Sequence, residues 1–257
     1  MKDLLVLHGL PGQGSQWASL RRALPSYNVI TPTFRGFEHT AASDGFPSTQ
    51  GHARQIVEWC GEDAANSIVV AWSFACHPLL FAMAFLDFCP GRAILIEPSA
   101  DTYLNRREKD AFGADAAAAF GPLLARLHDV DDEGLAQMSF EATGSATDWR
   151  DLTAARRRPF IDGAAALRCA FVSGAIPARI NARDLATVNV PIDVIVGEDT
   201  RQMFSLAGRE LARILPTVQL RIIKGANHLW PITRPRELAD LIHRIDTSAQ
   251  GDGANNI

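Results

Sequence analysis

One stretch near residue 70 constrains the chain more than any other, because a buried strand in it stops abruptly at a serine. The apolar, β-branched run Ile68–Val70 is followed by Ala71-Trp72-Ser73-Phe74-Ala75 and then by an apolar helical pattern. A strand, a tight turn and a helix in this order are typical of a nucleophile elbow, which presents a serine hydroxyl on a strained turn. The usual pattern is G-x-S-x-G, and alanine at both glycine positions still keeps the side chains small. An ordinary helix N-cap serine after a buried strand gives the same pattern, so the rest of the chain has to decide.

Short apolar runs alternate with helical patterns on both sides of this stretch. The further strands are predicted at residues 4–7, 28–31, 93–96, 190–196 and 218–223. The alternation indicates an α/β fold, a compact, mostly parallel six-stranded sheet with helices on both faces. Residues 99–187 lack a predicted buried strand and are expected to form an inserted helical cap, with helices over 115–127, 152–158 and 160–171. A last helix is expected over about 235–245. The core is then expected to comprise residues 1–98 and 188–247, with 248–257 as a flexible tail.

The composition excludes several classes of function. A net charge of -4 over 257 residues gives no electrostatic reason to expect nucleic acid or an anionic membrane as a partner. No apolar run is long enough for a membrane span or a signal peptide. Four cysteines without a C-x-x-C pair predict free thiols and a cytoplasmic protein. No metal and no cofactor are expected, because no His, Cys and Asp cluster has metal-ligand spacing; a homodimer is left open.

Polar residues follow the predicted strands at the point where each strand ends. In a parallel sheet these ends lie along one edge, and ligands bind in the crevice beyond it. The site is therefore expected at this edge, with the inserted helical segment as a lid above it. The residues concerned are His8, Ser73, Glu97, Glu198, Asp199 and His228.

A serine nucleophile needs a base and donors for the oxyanion. His228 follows the last strand and has the position in the chain order serine, acid, histidine that the base requires. The N–H of Phe74, directly after the serine, is the first predicted oxyanion donor. The N–H of Leu10, in the glycine-rich loop after the first strand, is the second, since Pro11 has no N–H. That loop lacks the glycine patterns of phosphate-binding loops.

These motifs together resemble the α/β-hydrolase superfamily from Leu4 to about Ile245. The resemblance rests on His8-Gly9-Leu10-Pro11-Gly12, Phe34-Arg35-Gly36-Phe37, the elbow, and Gly225-Ala226-Asn227-His228. It implies a helical cap on a compact core. Two departures are that Thr33 stands where an acid is usual and Glu38 where a glycine is usual.

The third member of the expected catalytic triad is the open question. The superfamily usually has its acid three residues beyond a glycine after the next-to-last strand, and counting from Gly197 this position is Thr200, which carries no charge. Asp199 lies one residue earlier. Relatives of the zearalenone lactonase type have a glutamate after the strand that follows the elbow helix, and Glu97-Pro98 resembles that arrangement. The resemblance favours Glu97 over Asp199.

The resemblance implies a serine hydrolase that cleaves a small, apolar carboxylic ester or lactone through an acyl-enzyme. Its catalytic residues would be Ser73, Glu97 and His228. Trp72, Phe34 and Trp230 are expected to line the substrate pocket. The same triad could instead hydrolyse a C–C bond or act as a cofactor-free peroxidase, and a receptor of this fold would bind its ligand without turnover.

Overall fold

The computed structural model of the chain describes residues 1–38, 47–172 and 177–253, with side chains up to residue 248. Six strands and twelve α-helices lie in these ranges. The strands are β1 (Lys2–Leu7), β2 (Tyr27–Ile30), β3 (Ile68–Trp72), β4 (Arg92–Ile96), β5 (Ile192–Gly197) and β6 (Val218–Ile223). The helices are α1 (Ala18–Ala23), α2 (Thr49–Cys60), α3 (Cys76–Phe85), α4 (Arg106–Leu124), α5 (Asp132–Thr143), α6 (Ala146–Arg150), α7 (Ala154–Asp162), α8 (Ala164–Val172), α9 (Ala182–Leu185), α10 (Gln202–Ile214), α11 (Trp230–Thr233) and α12 (Pro235–Gly253).

The six strands form one sheet in the order β2-β1-β3-β4-β5-β6, and every neighbouring pair is parallel. The predicted parallel α/β architecture is confirmed. From β1 the chain moves outward to β2 and then returns to β3 on the other side of β1. A crevice opens at such a reversal. The loop after β1 and the turn after β3 are therefore the segments that border it.

Both faces of the sheet are covered, which explains why its central strands are apolar at almost every position. Because successive side chains in a strand point to opposite faces, Val69 and Ala71 of β3 join one core with α2, α3 and α10. Ile68 and Val70 join the other core with α1 and α12. The central strands are thereby locked in register, and their carboxyl ends stay aligned at one edge.

The segment between β4 and β5 is helical, and residues 99–187 are called the cap from here on. Its first helix, α4, begins at Arg106, earlier than the predicted start near Asp115. The reason is a capping box, in which Asn105 and Glu108 each accept a hydrogen bond from the other's backbone N–H.

A single helix predicted over 160–171 is divided by Gly163 into the end of α7 and the start of α8. A Cβ atom at this glycine would lie 2.6 Å from the backbone nitrogen of Gly12. The two backbones therefore touch, which only a glycine allows. This contact docks the cap directly on the loop after β1.

The carboxyl-terminal helix is longer than expected. α12 continues to Gly253 rather than ending near Ile245, and the hydroxyls of Thr247 and Ser248 donate to carbonyl groups of the preceding turn. Of the expected flexible tail, residues 254–257 lie outside the described residues. None of the described helices is both long and apolar enough to cross a membrane.

Candidate active site

Ser73 occupies the turn that the sequence pattern predicted. β3 ends at Trp72, Ser73 has a φ of 55°, and a short 3-10 turn (Ser73–Ala75) leads into α3. A non-glycine residue in this left-handed region is strained, and such strain is concentrated at functional sites. The side chain is only 7% exposed. Ser73 is among the residues that line a cavity.

His228 lies between β6 and α11, with its ring directed at Ser73. The distance from its Nε2 to the Ser73 Oγ is 3.1 Å. On the other side of the ring, Nδ1 lies 3.4 Å from Oε2 of Glu97. That is longer than an ideal charge-assisted hydrogen bond.

Glu97 is the first residue after β4, is fully buried, and has a φ of 54°. Its Oε1 accepts the Gly197 N–H at 2.5 Å, and its Oε2 accepts the Thr200 hydroxyl at 2.7 Å. A Cβ atom on Gly197 would lie 3.2 Å from Oε1 and 2.1 Å from the Ala226 carbonyl oxygen. Glycine is therefore required at this position because the turn after β6 lies against the end of β5, and its small size also leaves room for the carboxylate.

The other candidate acid, Asp199, has an exposed position. Its backbone N–H donates to the carbonyl of Ala226, which ties the turn after β5 to the turn after β6. The structure thus brings Glu97, and not Asp199, to the ring of His228. Thr200, which has the position usual for an acid, donates its hydroxyl to Glu97 instead.

Two aromatic rings flank His228. The Phe204 ring stacks on the imidazole with centroids 3.7 Å apart and planes at 18°. Trp72 donates its indole N–H to the His228 carbonyl at 3.2 Å, and its ring centroid lies 5.5 Å from that of the imidazole. These contacts restrict the ring plane of His228 and shield it from water.

The loop after β1 is shaped by His8, which is fully buried. Its Nε2 accepts the Phe34 N–H at 3.0 Å, so its proton resides on Nδ1, which donates to the Gly9 carbonyl at 2.9 Å. A Cβ atom on Gly9 would lie 2.9 Å from the Trp72 ring and 3.3 Å from the Ser73 Cβ. Glycine therefore lets the loop lie against the elbow, with Leu10 and Phe74 both bordering the cavity.

Burial lowers the pKa of three histidines from 6.5 to about 4, namely His8, His52 and His77. Desolvation of the charged form is the main cause in each. At His8, protonation of Nε2 would also break the hydrogen bond with Phe34. Between pH 6.5 and about 4 these imidazoles are therefore mostly neutral in the native protein, whereas the same side chains in the unfolded chain are mostly protonated.

The free energy of unfolding is therefore expected to be constant above about pH 7 and to fall as the pH decreases from 6.5 towards 4. Each histidine contributes about 2 kcal/mol of this loss at pH 5, because the unfolded state binds more protons than the native state. Urea unfolding at pH 8 and pH 5 measures it. His77→Gln should reduce the pH dependence by about that amount. Equal pH dependence in wild type and His77→Gln would contradict the assignment.

Ser73 and His228 open on a cavity of about 320 Å³ between the sheet edge and the cap. Its walls are mostly apolar, and none of the described residues that line it is an Asp, Glu, Lys or Arg. They are Leu10, Pro11, Trp72, Ser73, Phe74, Ser99, Phe112, Ala116, Phe120, Ser139, Phe140, Thr143, Leu167, Ala170, Phe171, Pro177, Met203, Phe204, His228 and Leu229.

Two of the three predicted pocket residues lie elsewhere. Trp72 lines the cavity, but Phe34 and Trp230 are fully buried in the core and are not among the lining residues. The Phe34 ring contacts His8, His52 and Trp59 in the layer beneath the loop after β1. Trp230 packs in the core beneath α12. The cap supplies much of the wall that these two side chains were expected to form.

The sequence profile of the Alpha/beta hydrolase family matches residues 4–241. The chain belongs to this family. No curated protein matches the chain. This α/β-hydrolase is similar in structure to a thermophilic esterase from Thermogutta terrifontis, with a TM-score of 0.73 and 17% identity over 96% of this chain and 90% of that one. MenH from S. aureus gives 0.73 and 15% over 97% and 94%, and the esterase RhEst1 from Rhodococcus sp. gives 0.72 and 18% over 96% and 90%. At such identities the likeness shows the fold alone.

Besides the cap residues of the cavity wall, two residues whose side chains contact Glu97 and His228 were not predicted from the sequence, namely Thr200 and Phe204. Thr200 carries no charge, but its position three residues after Gly197 marks it as a neighbour of the triad. Phe204 has no sequence signal, because it lies in an ordinary amphipathic helix. Its contact with His228 depends on how α10 packs against the turn after β6.

Proposed function

We propose that the protein is a serine hydrolase that cleaves small, neutral, apolar carboxylic esters or lactones through an acyl-enzyme. One observation carries the proposal: the contacts that link Ser73 to Glu97 through His228 end at a cavity whose lining has no Asp, Glu, Lys or Arg side chain among the described residues. A serine held between a base and a cavity is what acyl transfer requires.

In this proposal Ser73 Oγ attacks the carbonyl carbon while Nε2 of His228 removes its proton. His228 then gives that proton to the leaving alcohol, and in the second half it activates the water that cleaves the acyl-enzyme. Glu97 keeps the second proton of the ring on Nδ1 and stabilises the imidazolium that forms. The backbone N–H groups of Leu10 and Phe74 hold the oxyanion.

The substrate class is inferred from the cavity walls. Phe112, Phe120, Phe140 and Phe171, all from the cap, line the cavity, and we propose that the cap acts as a lid that selects the substrate. A carboxylate or ammonium group would lose its hydration there without gaining a partner, which is unfavourable by several kcal/mol.

The α5 wall favours a ligand that donates hydrogen bonds. The hydroxyls of Ser139 and Thr143 donate to carbonyl oxygens one turn earlier, each at 2.9 Å. Their remaining lone pairs can accept a hydrogen bond from a hydroxyl group, such as the one a lactone releases when its ring opens.

The four cysteines are free thiols, which favours a cytoplasmic setting.

Two measurements test the proposal. A fluorophosphonate should label Ser73, identified by mass mapping, and the protein should turn over p-nitrophenyl butyrate and medium-ring lactones. The p-nitrophenyl ester of succinic acid is the matched control, because it differs from the butyrate ester mainly by a terminal carboxylate. Its kcat/KM should be at least about a hundredfold lower, corresponding to about 2.7 kcal/mol.

The other candidate functions give different results. Labelling of Ser73 together with release of a single equivalent of p-nitrophenol would indicate a receptor. Preferential cleavage of a C–C bond, or peroxidation when hydrogen peroxide is added, would indicate the other enzyme classes. If Ser73 is not labelled at all, the serine-hydrolase proposal is wrong.

A further inference from the structure

The short segment 200–204, which runs from the turn after β5 into the first turn of α10, contacts two members of the proposed triad. At its start, the Thr200 hydroxyl donates to Oε2 of Glu97 at 2.7 Å. At its end, the Phe204 ring stacks on His228 at 3.7 Å. Any displacement of this segment therefore moves the partners of the acid and of the base together.

The same segment is held by a carboxylate of the cap. Asp115, on α4, accepts a hydrogen bond from the Arg201 guanidinium at 2.5 Å through Oδ1, and from the Met203 backbone N–H at 3.0 Å through Oδ2. Arg201 is the N-cap residue of α10, and its side chain makes no capping hydrogen bond with the helix. The N–H groups of a first helical turn need an outside acceptor, and a negative charge there is favourable. Asp115 supplies both from 86 residues away along the chain.

Phe204 also packs directly against the cap. It shares a buried cluster with Ala119 of α4, Ala142 of α5 and Met203. Phe112 and Phe120 pack against this cluster. The ring is only 2% exposed. The position of this ring is thus determined by cap helices and by the first turn of α10, while His228 rests against it.

We propose that Asp115 is a positioning residue, which acts through Phe204 to hold His228 in line with Ser73. The inference rests on the proposed serine-hydrolase function. A docked cap holds the first turn of α10, and the Phe204 ring in that turn restricts the imidazole plane. Without the Asp115 contacts the Phe204 ring can tilt, and the imidazole of His228 can then tilt with it. Nε2 of His228 therefore spends less time aligned with the Ser73 hydroxyl.

The cap contains a matched pair that lacks this connection. Arg168 of α8 contacts Asp132 of α5 at 2.6 Å, and its guanidinium also donates to the carbonyls of Leu127 and Val130. Both ion pairs are partly exposed. Of the two carboxylates, Asp115 contacts the segment 200–204, whereas the contacts of Asp132 in the described structure lie within the cap. Asp132→Ala therefore reports what loss of a cap ion pair does by itself.

The experiment measures the rate constant for phosphonylation of Ser73 by diisopropyl fluorophosphate, a reagent too small to need the whole cavity. The endpoint amplitude gives the folded fraction, whereas the rate constant reports the alignment of Ser73 with His228. Phe204→Leu should lower the rate constant about tenfold and Asp115→Ala about fivefold, because small misalignments of reacting groups have large effects on rate. Asp132→Ala should stay within about twofold of wild type, as expected for a site without shared partners.

The double variant Asp115→Ala/Phe204→Leu decides whether the two residues act as one unit. If Asp115 acts through Phe204, the double variant should be no slower than Phe204→Leu alone, since coupled sites are not additive. A further fivefold loss in the double variant would overturn the proposal, as would wild-type rate constants for Asp115→Ala. Asp115→Asn, which keeps an acceptor for the Met203 N–H, replaces Asp115→Ala in the cycle if that variant does not fold.

Failure of the inference and failure of the proposed function are distinguishable. If wild type is not phosphonylated at Ser73, the proposed function fails. If wild type is phosphonylated and the Asp115 variants are equally fast, only the positioning role fails. Steady-state kinetics provide a second readout: a positioning role lowers kcat with KM nearly unchanged, whereas a loosened pocket wall raises KM.

Discussion

Replacing Ser73 by alanine is expected to abolish ester turnover, with a loss in kcat on the order of a million-fold. Ser73 Oγ is the atom proposed to form the acyl bond, and within the cavity it is the hydroxyl that lies 3.1 Å from Nε2 of His228. Without it, no covalent intermediate can form. Steady-state assays with p-nitrophenyl butyrate measure the loss, and a thermal melt establishes that the variant is folded.

Ser139→Ala is a matched comparison, because it removes another hydroxyl from the same cavity wall. That hydroxyl donates to the carbonyl of Leu135 and lies in the wall of the cavity, not at the reacting atoms. Its loss should therefore alter KM by about a few-fold and leave Ser73 phosphonylation intact. A Ser73→Ala protein that retained a tenth of wild-type activity would show that the elbow serine is not the nucleophile.

Glu97→Gln is expected to reduce kcat by about ten-thousandfold, the effect of the equivalent amide substitution in serine proteases. The amide keeps the shape of the carboxylate but lacks its charge, and its NH₂ group would face Nδ1 of His228 and favour the wrong tautomer of the ring. Because Glu97 also accepts hydrogen bonds from Gly197 and Thr200, a melt must accompany the kinetics.

Asp199→Asn is the paired variant, and its kcat should stay within about threefold of wild type, the size of effect ordinary for an exposed residue outside the site. Asp199 is exposed, and its backbone N–H, which the substitution keeps, donates to the carbonyl of Ala226. Asp199→Asn with a large loss, together with Glu97→Gln near wild type, would assign the acid to the loop after β5. Small losses in both would leave a Ser73–His228 pair without a carboxylate.

The sheet and the edge at which the site lies could be predicted from the sequence. Short β-branched runs alternating with helical patterns can bury their apolar surface only as a parallel sheet covered on both faces. The carboxyl ends of such strands meet at one edge, so Ser73, Glu97 and His228 could be assigned to a common site from their positions after strands. These are local patterns, and each depends on a few neighbouring residues.

Residues 34 and 230 show where local patterns stop being informative. An aromatic residue after a strand is apolar whether it faces a cavity or a core, and only the packing of neighbouring layers separates the two. Phe34 packs beneath the loop after β1 and Trp230 beneath α12, while cap phenylalanines such as Phe112 and Phe171 line the cavity. The glycine at position 163 has the same kind of origin, since it lies against the backbone of Gly12, far away in sequence.

Which carboxylate faces His228 depends on contacts between segments that are distant in the sequence. Glu97 and Asp199 both follow strands of the sheet, and their spacing in the sequence allows either. The close approach of β5 at Gly197, the Thr200 hydroxyl and the left-handed backbone at Glu97 together direct the Glu97 carboxylate to the ring. The contacts of Asp115 and Phe204 were likewise decided by the docking of the cap on the core, because they join segments of the chain that share no local pattern.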